Sequence, residues 1–81
     1  MHPVSESIKV AAIFAPGSLI RPVWFEWRSQ KRAITGMNYF WKDRFGDSTR
    51  LHFAVTDGSN QFELMFDSST HLWTLEAVAE S

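Results

Sequence analysis

Residues 51–66, LHFAVTDGSNQFELMF, constrain the fold more than any other part of the chain. Leu51, Phe53 and Val55 alternate with His52, Ala54 and Thr56; Phe62, Leu64 and Phe66 alternate with Glu63 and Met65. A period of two is the mark of a strand with one buried face. DGSN between the two runs is a turn signal, so the segment reads as a hairpin. With Thr56 facing Gln61, Val55 meets Phe62, Phe53 meets Leu64 and Leu51 meets Phe66. A slip of one residue would turn the whole apolar face to water, so the register is well specified.

The next turn repeats the logic. DSSTH separates Phe66 from LWTLEAV. Pairing Asp67 with Leu72 sets Phe66 opposite Trp73, Leu64 opposite Leu75 and Phe62 opposite Ala77. The alternative for this last segment is a helical turn at LEAVAES, whose residues favour helix. Upstream, VWFEWRSQKRAI reads as another hairpin: Val23, Phe25 and Trp27 on one face, Trp24, Glu26 and Arg28 on the other, with Ser29-Gln30 as the turn. In the strand that follows, Ile34 and the set Met37, Tyr39 and Trp41 are out of phase. A bulge at Gly36 restores them to one face and bends the strand. DRFGDST is a polar loop, and Ile8, Val10, Ala12 and Phe14 give the first strand before the break at APGSLIRP. The expectation is an all-β domain of about six antiparallel strands in a meander, forming a strongly bent sheet or small SH3-like barrel. It spans residues 1–81 as one unit, with residues 1–6 as a flexible tail.

Such a sheet must be built from a thin core, because a chain of 81 residues buries only about 60% of its unfolded surface. No cysteine is present, so disulfides and thiolate metal sites are excluded, which fits a reducing, cytoplasmic setting. Four Trp, seven Phe and one Tyr supply the buried area instead. No apolar run approaches a membrane span, and the start, MHPVSES, is unlike a signal peptide. Charge is unevenly spread. Residues 1–50 hold all 8 Lys and Arg against Glu6, Glu26, Asp43 and Asp47; residues 51–81 hold only acids, Asp57, Glu63, Asp67, Glu76 and Glu80. Either the halves neutralise one another across strands, or the first carries a basic binding face.

Alternation divides the tryptophans. Trp27, Trp41 and Trp73 fall with core residues. Trp24 shares a face with Glu26 and Arg28; it is either exposed or packed under the first strand or against Phe40. An exposed indole flanked by Arg21, Arg28, Lys31, Arg32, Lys42 and Arg44 is a platform on which a nucleic-acid base stacks while cations take the phosphates. Catalytic features are sparse. His2, His52 and His71 lie at no metal-ligand spacing, and His52 and His71 read as surface residues. Asp57 belongs to a turn. Glu26, Glu63 and Glu76 point to the outer face, but an acid–base pair also needs a cleft. No phosphate-binding glycine loop, triad or zinc spacing occurs. The chain is therefore expected to be no enzyme and to hold no cofactor or metal.

Several of these motifs occur together elsewhere. RPVWFEWRSQKRAI, YFWKD, LHFAVTDGSNQFELMFD and WTLEAV resemble a family of small uncharacterised bacterial all-β domains, over residues from about Arg21 to Val78. The matching positions are Pro22, Trp24, Phe25, Trp27, Arg28, Trp41, Asp57, Gly58, Phe62, Glu63, Leu64, Asp67, Trp73 and Leu75. Relatives in that family are sometimes encoded near translesion-polymerase accessory genes, so the resemblance implies a DNA-associated role. Ala33 and Thr35 depart from its more basic and aromatic hairpin. Among the matching residues, Trp24, Arg28 and Glu63 follow from neither core nor turn needs.

The function expected is a non-enzymatic binding module for an unidentified protein partner, using the outer sheet face or an exposed strand edge, as a monomer or weak homodimer. The alternative is a nucleic-acid-binding module. The candidate binding surface comprises Arg21, Trp24, Arg28, Lys31, Arg32 and Glu63.

Overall fold

Alternating sequence becomes alternating burial along β5, Ser48–Thr56, and β6, Asn60–Asp67. Their register is the one the apolar matching requires: Val55 faces Phe62, Phe53 faces Leu64 and Leu51 faces Phe66. In the computed structural model, which describes residues 2–80, these strands belong to one antiparallel sheet. The others are β1 (His2–Ile13), β2 (Arg21–Trp27), β3 (Gln30–Ala33), β4 (Gly36–Phe45) and β7 (Leu72–Glu80). The spatial order is β3-β2-β1-β7-β6-β5-β4, and the sheet does not close. The described residues contain no helix, hence none long and apolar enough to cross a membrane.

Phe25, Phe53, Val55, Phe62, Leu64 and Leu75 are fully buried, with Phe66, Trp73 and Val78 nearly so. Phe25 on β2 and Phe62 on β6 have ring centroids 4.9 Å apart, edge to face. Three strand spacings separate β2 from β6 in the order, about 14 Å along a flat sheet. The sheet therefore curves enough to bring these rings together. One crossing contributes to that shape: Ile34 N–H donates to Val23 O on β2, and Thr35 N–H, one residue on, donates to Thr56 O on β5. The chain thus passes in two residues from one end of the strand order to the other.

Several expectations are corrected by this arrangement. The segment read as one strand with a bend at Gly36 is two, β3 and β4, which pair with β2 and β5 and bring the number to seven. The bulge lies between Met37 and Tyr39 rather than at Gly36. Beyond it the parity is reversed: Phe40 packs inward on Phe53, and Tyr39 and Trp41 turn to the outer face opposite Ala54 and His52. Trp41 is not a core residue. Trp27 packs against the core but stays half-buried, and Trp73 is buried as expected.

The β2–β3 turn is Arg28-Ser29, not Ser29-Gln30, since Trp27 pairs with Gln30. Both turn residues have positive φ, 52° and 63°, as a two-residue type I′ hairpin turn requires. Phe62 faces Val78 instead of Ala77, because a bulge near Glu63 leaves Glu76 as the extra residue. β7 runs as a strand through LEAVAE, with no helical turn. Residues 2–6, expected as a tail, lie in β1, where His2 pairs with Val78 and Glu6 with Leu75; Met1 lies outside the described residues.

Candidate functional site

The expected binding residues do not converge on one surface. Trp24 is half-buried on the outer face of β2, where Ala11 of β1 and Ala33 of β3 are its cross-strand neighbours. These small side chains leave room for lysines from both flanking strands. Lys31 Nζ lies 4.2 Å from a Trp24 ring centroid and Lys9 Nζ 5.9 Å, within reach of cation–π attraction. Glu26 is opposite both lysines in the strand register. Trp24 and Lys31 thus come together, and Lys9 joins them. The sequence holds a trace of Lys9's place, since it alternates outward on its strand.

Arg28 and Arg32 are engaged elsewhere. Arg28 Nη2 donates to Glu6 Oε2 at 3.1 Å, and Trp27 Nε1 donates to Glu6 Oε1 at 3.0 Å. The Arg28 hydrogen bond, then that of Trp27, holds the Glu6 carboxyl below its ordinary pKa. Arg32, opposite Phe25 on the inward face, reaches Asp57 Oδ2 at 3.4 Å and Gln30 Oε1 at 3.1 Å, and lies over Phe62. Its Nε is buried with no hydrogen-bond partner among the described residues. Asp57 Oδ1 also accepts the Asn60 and Ser59 amides, and the Asn60 bond is the main reason its pKa is lowered. Arg32–Asp57 joins the basic and acidic halves of the chain, so this part of the charge asymmetry is neutralised internally.

Glu63 sits on β6 in a different cluster, on the outer face of β4–β5–β6. His52 was expected at the surface; it does point outward, yet only 7% of it is exposed. Trp41 covers it, with the two rings 4.9 Å apart and 6° from parallel. The bulge before Tyr39 brings this about, because it places Trp41 directly across from His52. His52 Nε2 lies 3.2 Å from Asp43 Oδ2 and Nδ1 lies 3.9 Å from Glu63 Oε2, but neither nitrogen has a partner in hydrogen-bonding geometry. Asp43 is held chiefly by Arg50, whose Nε and Nη2 donate to its two oxygens at 2.9 Å each. This fork lowers the Asp43 pKa and raises that of Arg50. Among the described residues no group of His and carboxylates has the geometry to hold a metal ion.

Arg21, expected beside Trp24, lies instead at a third place. Two adjoining depressions, of about 390 and 170 Å³, open between the β1–β2 loop, the start of β2 and the start of β4. Ile13, Leu19 and Ile20 line the larger one, Pro22, Ile34 and Thr35 the smaller, and Arg21 and Met37 both. Large apolar side chains are left exposed around and beyond them, including Phe14, Leu19, Met37 and, at 64% exposure, Tyr39. Their signal in the sequence is APGSLIRP, whose Leu19-Ile20 pair is apolar inside a loop.

The chain matches no family model, no curated protein and no solved structure.

Proposed function

We propose that the chain is a non-enzymatic, cytoplasmic binding module that takes up an extended segment of a protein partner along the free edge of β4. Its frame is a strongly bent sheet, an incompletely closed relative in shape of small SH3-like barrels. The observation that carries the reading is β4 itself: ten residues long and last in the sheet, with β5 on one side only. A long unpaired edge offers a row of backbone donors and acceptors to another strand. The opposite edge, β3, has four residues. β4 also carries exposed apolar side chains, Met37, Tyr39 and Phe45, which give an added strand something to cover.

A second reading is favoured by Trp24 with Lys9 and Lys31, an arrangement suited to single-stranded nucleic acid and to the DNA-associated context that the family resemblance implies. Photocrosslinking separates the two. A benzophenone side chain replaces Tyr39 in one variant and Trp24 in another, and each is irradiated in lysate with and without nuclease. Protein adducts from position 39 that survive nuclease support the first reading. Nuclease-sensitive adducts confined to position 24 overturn it in favour of the second.

A further inference from the structure

We infer that the β4 edge selects an extended partner segment with a bulky apolar side chain at one end and carboxylates farther along the same face. This inference rests on the strand-addition reading and adds the chemistry of the partner.

The apolar end is set by the depression between Ile13, Leu19, Ile20 and Met37, about 390 Å³ in volume and open to solvent. It adjoins the first residues of β4, since Met37 is part of its wall. A strand laid along β4 would bring a side chain over this depression. A leucine- or phenylalanine-sized group would exclude water from exposed Ile13, Leu19 and Met37. A polar group there would leave its hydrogen-bonding needs unmet.

The acidic end is set by the cations of β4. Past the bulge, Phe40, Lys42 and Arg44 share one face of the strand, opposite Phe53, Leu51 and Thr49 of β5. Lys42 and Arg44 are exposed, and neither forms an ion pair within 4.0 Å among the described residues. Other carboxylates nearby are committed: Asp43 to Arg50, and Asp67 to the Ser48 and Ser69 hydroxyls. Asp47 lies past the end of the strand, in the β4–β5 turn. At the apolar end Arg21 adds an exposed guanidinium, likewise without an ion pair. A bound strand alternates faces as β4 does, so its anchor opposite Met37 places carboxylates about four and six residues away opposite Lys42 and Arg44. Opposite charges directly across an antiparallel ladder, the kind this sheet forms throughout, favour that register, and like charges oppose it.

The test uses the full chain and three synthetic fluorescent dodecapeptides with the same strand-forming background. One carries a leucine anchor with glutamates four and six residues before it, the order that antiparallel addition to β4 requires. The second has lysines in place of the glutamates, and the third has serine in place of the leucine. Affinity is read by fluorescence anisotropy and location by amide chemical shifts. The expected result is binding of the first peptide, with shifts at residues 13–21 and 36–45, and at least tenfold weaker binding of the other two. The variant K42E/R44E, altered only at exposed positions, should reverse the preference between the glutamate and lysine peptides. Equal binding of all three along β4 would overturn the stated partner chemistry while leaving strand addition intact. Shifts elsewhere, or none with any peptide, would overturn both. Light scattering on the protein alone adds one more outcome: a dimer whose formation protects the β4 amides would make a second copy the occupant and refute the peptide assignment.

Discussion

The contact between Phe25 and Phe62 is the most direct check on how the sheet is shaped. Both rings are buried, and they meet edge to face with centroids 4.9 Å apart, although two whole strands, β1 and β7, lie between their own. Phe25→Leu and Phe62→Leu each remove aromatic contact while keeping the site apolar, and each should cost about 1–2 kcal/mol. A domain of 81 residues has about 4–12 kcal/mol of stability in total, so both variants should fold. Edge-to-face ring pairs contribute about 0.5–1.5 kcal/mol beyond their burial. The double variant should therefore lose less than the summed single losses by about that amount. Urea denaturation followed by tryptophan fluorescence resolves it, because with a slope near 1 kcal/mol per molar, 1 kcal/mol moves the midpoint by about 1 M. Residues that do not touch add within about 0.3–0.5 kcal/mol. Strict additivity with unchanged slopes would refute the curvature inferred from the ring contact.

Three further outcomes are expected. Ser29→Gly should raise stability by about 0.5–1 kcal/mol in the same assay, because glycine adopts the φ of 63° that serine holds there under strain. Trp73→Ala should cost about 3–5 kcal/mol, whereas Trp24→Ala, on the outer face, should cost well under half of that in parallel denaturation curves. Asp67 has its pKa pulled from 3.8 to about 2, mainly by the Ser48 hydroxyl and then by the Ser69 hydroxyl and amide. Its folded-state pKa is depressed, so its contribution is present above pH 3.8 and is lost as pH falls towards 2. Asp67→Asn should flatten the fall in thermal midpoint across that window relative to the unaltered chain.

The β5–β6 hairpin was fully legible because period-two apolarity and a turn of fixed length both demand the same register. β6–β7 was legible only to Leu64, where the extra residue Glu76 shifts Phe62 onto Val78. Bulges carry a weak local signal. Gly36 drew the expected bulge because glycine tolerates unusual backbone angles, yet the irregularity falls after Met37, where no glycine marks it. That displacement misplaced Trp41, and with it the burial of His52. The division of residues 30–45 into β3 and β4 depends on which partner each half finds, a choice made by distant strands. At the candidate site, alternation put Trp24 on the outer face, but Lys31 was grouped with it only as a cation of the same hairpin; the register that sets it beside the indole depends on the Arg28-Ser29 turn. The commitment of Arg28 and Arg32 to Glu6 and Asp57 was not legible, because those acids are 22 and 25 positions away in the chain. The depression beside Met37 arises from a loop and two strand ends, which no periodicity describes.

The position of β1 has a consequence for assembly in time. Of the seven strands it is the first to leave the ribosome, yet one of its two ladders is made with β7, the last of the seven to emerge. Until then β1 can hold only β2, and the other half, β4 to β6, waits as a separate antiparallel ribbon. Docking β7 between β1 and β6 is the event that unites them, across a closure of about 70 residues whose entropic cost makes it slow. Growing chains thus expose the inward phenylalanines of two half-sheets until β7 emerges, and that strand is what shelters both.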